Sequence, residues 1–303
     1  VEQARKAMYL LFMRIDNLAL PLDLQLKLFD HTVLPILCYG SEIWGFENLK
    51  IIENIHNEFL RKITKVRGST PMYMLYAELG RYPVEIIIKS RMIGFWNRLI
   101  TGKQSKLSFI LYQTLYNHDK TFKWINYIKS IFTEIGRNDL WINQANINSR
   151  NMKVLVKSVL VDQNLQKWHS DLQNSQKGIN YSIIKQAISL EKYLITVQRK
   201  YWQCLFKFRT ENHKFPVETG RWNDIEYSER KCNLCNNHDV GDNFHYLLSC
   251  SYFSEERKTY LHRKYYTRPN ILKFQELMAT TNKPRLQNLC KFIKILMNKF
   301  SNV

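Results

Sequence analysis

The sequence is poor in glycine, in proline and in acidic residues. Only 10 Gly and 7 Pro occur among 303 residues, so turn signals are few and a fold of many short strands is disfavoured. The 26 Asp and Glu face 45 Lys and Arg, which gives a net charge of +19. Every apolar run is interrupted before the roughly 18 residues that a membrane helix needs. We therefore expect a mainly all-α protein without a membrane-spanning segment.

The six cysteines do not form the pattern of a disulfide framework. Three of them are grouped at short spacing, and the other three stand alone on apolar helical faces. The isolated ones are Cys38, Cys204 and Cys290. Because disulfides persist mainly in oxidising compartments, this cysteine usage indicates a reducing, intracellular location, in the nucleus or the cytoplasm.

Apolar residues at helical spacing predict several long helices. The stripes cover residues 22–37, 52–66, 84–100, 190–208 and 286–300. Pro35 should kink or end the first of them, and Gly68 should stop the second. The stripe at 190–208 is flanked by many Lys and Arg residues, so it predicts one long basic, amphipathic helix that leads into the cysteine group.

The same pattern suggests an organisation in four segments. A helical bundle is expected over residues 1–102, and a helical linker with Asn-rich, Ser-rich and Lys-rich joints over 103–190. A basic helix and a small metal-binding subdomain follow over 191–268, and a docked C-terminal helix over 269–303. The terminal stripe is too short for a coiled coil.

The grouped cysteines carry the clearest chemical signal. Cys232-x2-Cys235-x9-His245-x4-Cys250 supplies three thiolates and one imidazole at spacings that suit a tetrahedral zinc ion. His238 is an alternative to His245, but His245 has the better spacing from Cys250. Since four protein ligands leave no position for water, the sequence predicts one structural zinc ion.

Patterns of catalytic sites are missing from the sequence. It contains no Gly-rich phosphate loop, no His-Glu-x-x-His, no Gly-x-Ser-x-Gly and no adjacent pair of aspartates. No aspartate follows Asp242, and two-metal nucleotidyl transfer needs clustered carboxylates. We therefore expect no enzymatic activity, no catalytic residues and no small-molecule substrate.

The excess positive charge favours a polyanionic partner, and interleaved aromatic residues favour nucleic acid over a membrane surface. A basic path is predicted along the helix at 190–208 and the flanks of the cysteine group. Its residues are Arg199, Lys200, Lys207, Arg209, Arg221, Arg230, Lys231 and Arg257. The alternative is a solvated charged face, in which case the chain is a helical scaffold or protein-interaction module whose zinc holds a small subdomain together.

Several segments resemble one known family. Residues 29–45 read FDHTVLPILCYGSEIWG, which resembles the segment after the palm in reverse transcriptases of non-LTR, LINE-type retrotransposons. The same family pattern occurs in YAELGRYP at 76–83, FWNRL at 95–99, Phe208-Arg209 and Glu218-Thr219-Gly220-Arg221. It returns at the cysteine group, with DNFHYLL at 242–248 followed by Cys250-x2-Phe253-x3-Arg257. The resemblance is vague between about 103 and 190 and fades after 268.

The resemblance implies the thumb and the C-terminal zinc knuckle of such an enzyme. In that family the catalytic aspartates belong to the palm, which would precede residue 1, so the resemblance implies a fragment or a decayed relic without polymerase chemistry. It also implies that the thumb-like helices brace a template and primer duplex and that the knuckle holds RNA. The expected partners are therefore RNA, an RNA–DNA duplex or a DNA duplex.

Overall fold

The computed structural model describes residues 1–118, 122–144, 149–175, 177 and 179–300, with only the backbone of 118, 149 and 150. Helices account for 73% of the structure, which confirms the predicted mainly α-helical fold. Strand pairing among the described residues is limited to two isolated antiparallel bridges, Leu79 with Leu190 and Lys231 with Val240. Within this part of the chain, no helix combines the length and the apolar character that crossing a membrane requires.

The described residues form nineteen α-helices. In chain order these are α1 (Glu2–Leu18), α2 (Leu22–Thr32), α3 (Leu34–Leu37), α4 (Ser41–Trp44), α5 (Leu49–Thr64), α6 (Met72–Glu78), α7 (Val84–Ile100), α8 (Leu107–His118), α9 (Lys123–Glu134), α10 (Asn138–Asn143), α11 (Ser149–Asn174), α12 (Ile179–Ile184), α13 (Tyr193–Thr196), α14 (Arg199–Arg209), α15 (Pro216–Trp222), α16 (Ser254–Tyr260), α17 (Arg263–Tyr266), α18 (Ile271–Met278) and α19 (Lys283–Lys299). Short 3₁₀-helices cover Gly45–Glu47, Tyr227–Glu229 and Ser251–Phe253, and a π-helix covers His245–Ser249.

The chain divides into two compact units. The first contains Val1–Leu20, Leu24–Phe59 and Tyr82–Lys167, and the second contains Pro21–Asp23, Leu60–Arg81 and Trp168–Val303. This grouping differs from the four predicted segments, because Leu60–Arg81 joins the C-terminal part of the chain. A buried ion pair between Glu78 and Arg209 is one contact that holds Leu60–Arg81 there.

In the first unit, α7 packs against α4, α8 and α9. The indole N–H of Trp96 donates to the hydroxyl of Tyr112 over 3.0 Å, and the ring of Phe132 meets Trp96 edge-on at 4.8 Å between ring centres. Trp96 and Phe132 are fully buried. Burying each aromatic side chain away from water stabilises the fold by about 2–3 kcal/mol. The bounds of α7 agree with the stripe predicted at 84–100.

In the second unit, α14 packs along α19, and α16 also packs on α19. Phe300, directly after α19, meets the rings of Phe215 and Tyr246, each at 4.9 Å between ring centres. The C-terminal helix is therefore part of the core that lies beneath the cysteine group, as a docked helix should be. A second cluster of buried side chains lies around Trp168 and Tyr181.

The single helix predicted at 190–208 is wrong. The structure has α13 and α14 instead, separated by extended backbone at Val197 and Gln198. Leu190 takes part in a bridge with Leu79, which removes it from any helix. The apolar spacing predicts α14 correctly, but spacing alone does not reveal that the chain straightens before α14 and pairs with another segment.

Candidate metal centre

A small hairpin positions the first two cysteines. The backbone of Lys231 pairs with that of Val240, and the N–H of Cys232 donates to the carbonyl of Asp239 over 2.8 Å. The turn between these two paired residues contains Cys235. The N–H of Leu234 points at the Cys232 sulfur at 3.4 Å, so the turn offers a backbone donor to a thiolate.

A π-helix positions the other two ligands. The N–H of Cys250 donates to the carbonyl of His245 over 2.8 Å, a five-residue step that is wider than an α-helical one. Asp242 caps the start of this turn, because its Oδ1 accepts from the N–H of His245 at 2.8 Å. Single π turns are rare and occur often at functional sites, and this one brings two ligands that are five residues apart to the same side.

The four side chains predicted as ligands converge. The ligand atoms of Cys232, Cys235, His245 and Cys250 all lie within 4.8 Å of one another. The Cys232 sulfur is 3.6 Å from that of Cys235 and 3.9 Å from that of Cys250. In a tetrahedron with metal–sulfur bonds of about 2.3 Å, the sulfurs would be roughly 3.8 Å apart. The cluster therefore has the composition and the spacing to hold one metal ion.

His245 is the histidine of the cluster, as the spacing favoured. Its Nε2 lies 3.4 Å from the Cys235 sulfur, and its side chain is buried. His238 is exposed and has a left-handed backbone with φ of 60°, and it does not belong to the cluster. Burial lowers the pKa of His245, which favours the neutral imidazole that a metal ligand must be.

The three thiols lie so close together that a bound cation would stabilise their deprotonated forms. Burial and the neighbouring Cys232 and Cys235 thiolates raise the pKa of the Cys250 thiol to about 12. Three thiolates at this distance repel one another, and a divalent ion at their centre would replace that repulsion with attraction. The same ion would favour deprotonation of all three groups.

Asp239 is a further residue of the centre that the sequence pattern did not reveal. Its Oδ2 lies 3.3 Å from Nδ1 of His245, on the opposite side of the ring from the sulfurs. Metal-binding histidines commonly donate their second N–H to a carboxylate, which fixes the ring and makes it a better ligand. The position of Asp239 on the hairpin turn was the only sequence signal for this role.

Replacing Asp239 with Asn should weaken metal binding without abolishing it. Loss of such a carboxylate partner typically lowers metal affinity about 10–100-fold. A competition titration against a chromophoric chelator would measure the change. The matched control is Asp224→Asn, because Asp224 is exposed in the same unit and lies outside the cluster. An equal loss in both variants would assign the effect to net charge and contradict a specific contact.

Packing around the cluster is close. A Cβ on Gly241 would lie 2.7 Å from the hydroxyl oxygen of Tyr246 and 2.8 Å from Cγ of Pro216. Only glycine fits there, so the Tyr246 ring can fill the space beneath the hairpin. Tyr246 is fully buried, which extends the core up to the cysteines.

Arg257 does not belong to the predicted basic path. Its side chain is buried, and Nε donates to the carbonyl of Leu247 at 2.9 Å. One terminal nitrogen donates to the carbonyls of Tyr246, at 3.2 Å, and Cys250, at 2.9 Å. The guanidinium therefore satisfies carbonyls at and around the π-helix. This is a structural role that keeps Arg257 from contacting a phosphate.

Arg209 does not belong to the path either, because its side chain is only 1% exposed. Nε lies 3.1 and 3.0 Å from the two carboxylate oxygens of Glu78. One terminal nitrogen donates to Glu78 at 2.9 Å and the other to the carbonyl of Met278 at 3.2 Å. The hydroxyl of Tyr193 donates to the same carboxylate at 2.6 Å. The guanidinium is thus fully engaged within the protein.

The remaining predicted basic residues lie nearer the surface. Lys200 and Lys231 are exposed, whereas Arg199, Lys207, Arg221 and Arg230 are half-buried. Lys200 places its ammonium 4.9 Å from the centre of the Tyr201 ring. Arg221 pairs with Glu218 at 3.0 Å, and Arg230 donates to backbone carbonyls. Arg221 and Arg230 are brought together at the edge of one cavity.

A separate cavity of about 700 Å³ lies in the first unit. Its lining is mostly aromatic and aliphatic, from Trp44 and Phe46 to Phe95 and Trp124, and Glu47 is the one carboxylate among the described residues that line it. Among the described residues, the cysteine and histidine cluster is the only set of three or more potential ligand side chains whose ligand atoms converge.

Comparisons with known proteins do not assign this chain to a family. The chain matches no protein-family model, and neither the curated proteins nor the solved structures include a detectable match. The candidate function therefore depends on the geometry, the charge and the motifs described above.

Proposed function

We propose that this chain binds nucleic acid through a basic surface that a zinc-bound segment supports, in the manner of the C-terminal region of a LINE-type reverse transcriptase. The observation that carries the proposal is the net charge of +19, since such an excess attracts polyanions. Lys231 is exposed on the hairpin next to the metal ligands, and Lys200 is exposed on α14. The motifs that resemble the family give the partner class, RNA or an RNA-containing duplex.

The ion proposed for the cluster is zinc. Three thiolates and one imidazole are soft or borderline ligands, which select zinc over calcium and magnesium. Because the protein fills all four positions, a zinc ion here would have no open site for water or substrate. Its role in the proposal is to fold the segment around residues 230–260, and the chain binds rather than catalyses.

A helical scaffold is the second candidate function. It is favoured by the burial of Arg209 and Arg257, because two of the basic residues predicted to contact phosphate instead satisfy groups inside the protein. The two candidates differ in one measurable property. A nucleic-acid-binding surface releases counterions when it binds, whereas a protein-binding scaffold has no such general dependence on salt.

The affinity of the full chain for a labelled structured RNA should fall steeply as salt increases. Each neutralised phosphate contributes about −0.7 to −0.9 to the slope of log affinity against log salt concentration. Replacing Lys200, Lys207 and Lys231 together by Gln should reduce the magnitude of this slope by up to about three. Fluorescence anisotropy at several salt concentrations would measure it, and the zinc content should stay unchanged.

The matched control replaces three exposed lysines of the first unit, Lys129, Lys157 and Lys167, by Gln. It changes the net charge equally, so a similar loss of slope would contradict a local surface around α14 and the hairpin. Binding that does not depend on salt, or no binding at low salt, would contradict the proposal and favour the scaffold.

A further inference from the structure

A second cavity, of about 330 Å³, lies in the second unit beside the end of α15 and the 3₁₀-helix Tyr227–Glu229. This volume is at the lower end of the range for ligand pockets, roughly 300–1,000 Å³. The residues at its edge that bear on binding are Arg221, Asp224, Ile225, Glu226, Tyr227 and Arg230. The cavity thus combines two guanidinium groups, two carboxylates, one phenol ring and the aliphatic side chains of Ile179 and Ile225.

Hydrogen bonds hold the two arginines in place and leave some of their N–H donors unused. Arg230 donates from Nε to the carbonyl of Ile225 at 2.9 Å and from one terminal nitrogen to that of Val217 at 3.1 Å. Arg221 donates from one terminal nitrogen to Glu218 at 3.0 Å, and its Nε is buried without a hydrogen-bond partner among the described residues. Each guanidinium has five N–H donors, so both arginines keep N–H groups that these hydrogen bonds do not use.

Tyr227 gives the cavity a fixed planar surface. Its hydroxyl lies 3.4 Å from Oδ2 of Asp242, and the amide of Asn180 also donates to that oxygen, at 3.3 Å. Burial raises the pKa of Tyr227 to about 12, so the phenol stays neutral. Aromatic rings and guanidinium planes are the surfaces on which unpaired bases stack.

The carboxylates decide which part of a nucleic acid fits. Asp224 and Glu226 are both exposed, and both line the cavity. Two negative charges would repel a phosphate but would accept hydrogen bonds from a base. Guanine offers acceptors on one edge, O6 and N7, for arginine, and N–H donors on its Watson–Crick edge for a carboxylate. Uracil has no comparable pair of edges.

We propose that this cavity binds one unpaired guanine base of a single-stranded nucleic acid. The inference rests on the proposed nucleic-acid binding and makes it more specific, because it adds base recognition to contacts with phosphate. Arg221 and Arg230 donate to the O6 and N7 edge, Tyr227 provides the stacking surface, and the two carboxylates accept from the N–H edge. Single-stranded RNA is commonly recognised through such unstacked bases.

The test compares two labelled oligomers with the full chain. One is a uridine oligomer of about nine nucleotides, within the usual size of single-strand sites, and the other carries one central guanosine. The guanosine oligomer should bind about tenfold more tightly, since a well-formed bidentate base contact discriminates by roughly 5- to 150-fold. The uridine oligomer should still bind at low salt through phosphate contacts.

The decisive variant combines Asp224→Asn with Glu226→Gln. Removing two negative charges should strengthen binding of the uridine oligomer, because repulsion of phosphate decreases. The same change should reduce the tenfold preference for guanosine to about twofold or less, because the acceptors lose their charge. The matched control combines Glu229→Gln with Glu255→Gln, two exposed acids of the same unit that do not line the cavity, and it should keep the preference.

The possible outcomes distinguish failure of the proposed nucleic-acid function from failure of the guanine site. If neither oligomer binds at low salt, the nucleic-acid function and this inference are both overturned. If both oligomers bind equally, or if the double variant and its control keep the same preference, the guanine site is overturned while phosphate binding stands. A preference that is lost only when Asp224 and Glu226 are changed supports the site.

Discussion

Replacing Cys235 with Ser should abolish tight metal binding and unfold the segment around residues 230–260. Structural zinc contributes an apparent binding free energy on the order of 10 kcal/mol at neutral pH, and in small metal-bound segments this is also folding free energy. Cys235 is a suitable target because it is only half-buried, so the change removes a ligand with little loss of core packing. Metal analysis should find one zinc per chain in the wild type and close to none in the variant.

Hydrogen exchange would show where the structure is lost. Amides of the hairpin and of the π-helix His245–Ser249 should exchange rapidly after chelation or in the Cys235→Ser variant, whereas α7 in the first unit should keep its protection. Because the thiols must lose protons to bind, zinc affinity should also fall as the pH falls. The control is Cys204→Ser, a half-buried thiol outside the cluster. Full zinc content in Cys235→Ser would rule out the assignment.

The cluster of three cysteines and one histidine was predictable from the sequence because the signal for it is local. Two short spacings, from Cys232 to Cys235 and from His245 to Cys250, limit how far apart the side chains can lie. The π-helix and the contact of Asp239 with His245 were not predictable in the same way. Both depend on how the hairpin and the π-helix pack against each other, and short spacings in the sequence contain no information about that packing.

The helices were predictable where one apolar face is buried along the whole segment. This holds for α7, whose bounds agree with its stripe, but not for the stretch before α14. The bridge of Leu79 with Leu190 forms between segments that are far apart in sequence, and apolar spacing contains no information about such a partner. The same limit explains why apolar spacing could not predict that the second unit includes Leu60–Arg81.

The charge pattern alone does not reveal that Arg209 is buried. Arg209 lies at helical spacing from Trp202, Leu205 and Phe206, and all three are buried, so its place on the apolar stripe of α14 was the signal of burial. Glu78 likewise follows Met74 and Leu75 on the buried face of α6. A charge on an apolar stripe indicates an interior partner of opposite sign.

Breaking the ion pair between Glu78 and Arg209 should cost the second unit about 3–5 kcal/mol of unfolding free energy, because one buried charge is left unpaired. The pair joins α6 to α14, and Arg209 also reaches the end of α18 through Met278. Denaturant unfolding of Glu78→Gln and of Arg209→Met, followed by a probe in the second unit, would measure the loss. The control Glu255→Gln removes an exposed pair with Lys258 and should cause no measurable change.

The two changes combined should cost less than the sum of the single ones. Once Arg209 is replaced by Met, the Glu78 carboxylate has already lost its main partner, so removing its charge relieves part of the penalty. Additive losses in the double variant would contradict direct pairing and assign each loss to packing alone. Retained stability in Glu78→Gln would contradict the predicted role of the pair altogether.

The contribution of the pair should also depend on pH in a defined direction. Burial alone would raise the pKa of Glu78, but the Arg209 guanidinium outweighs it and holds the pKa below its ordinary value of 4.5. A carboxyl with a depressed pKa in the folded state adds stability above its unfolded pKa and loses it as the pH falls through the folded pKa. The difference in unfolding free energy between the wild type and Glu78→Gln should therefore be full at neutral pH and shrink only below about 4.5. If the difference shrank well above that pH, Glu78 would be protonated in the folded protein, and the ion pair would not be the source of its stability.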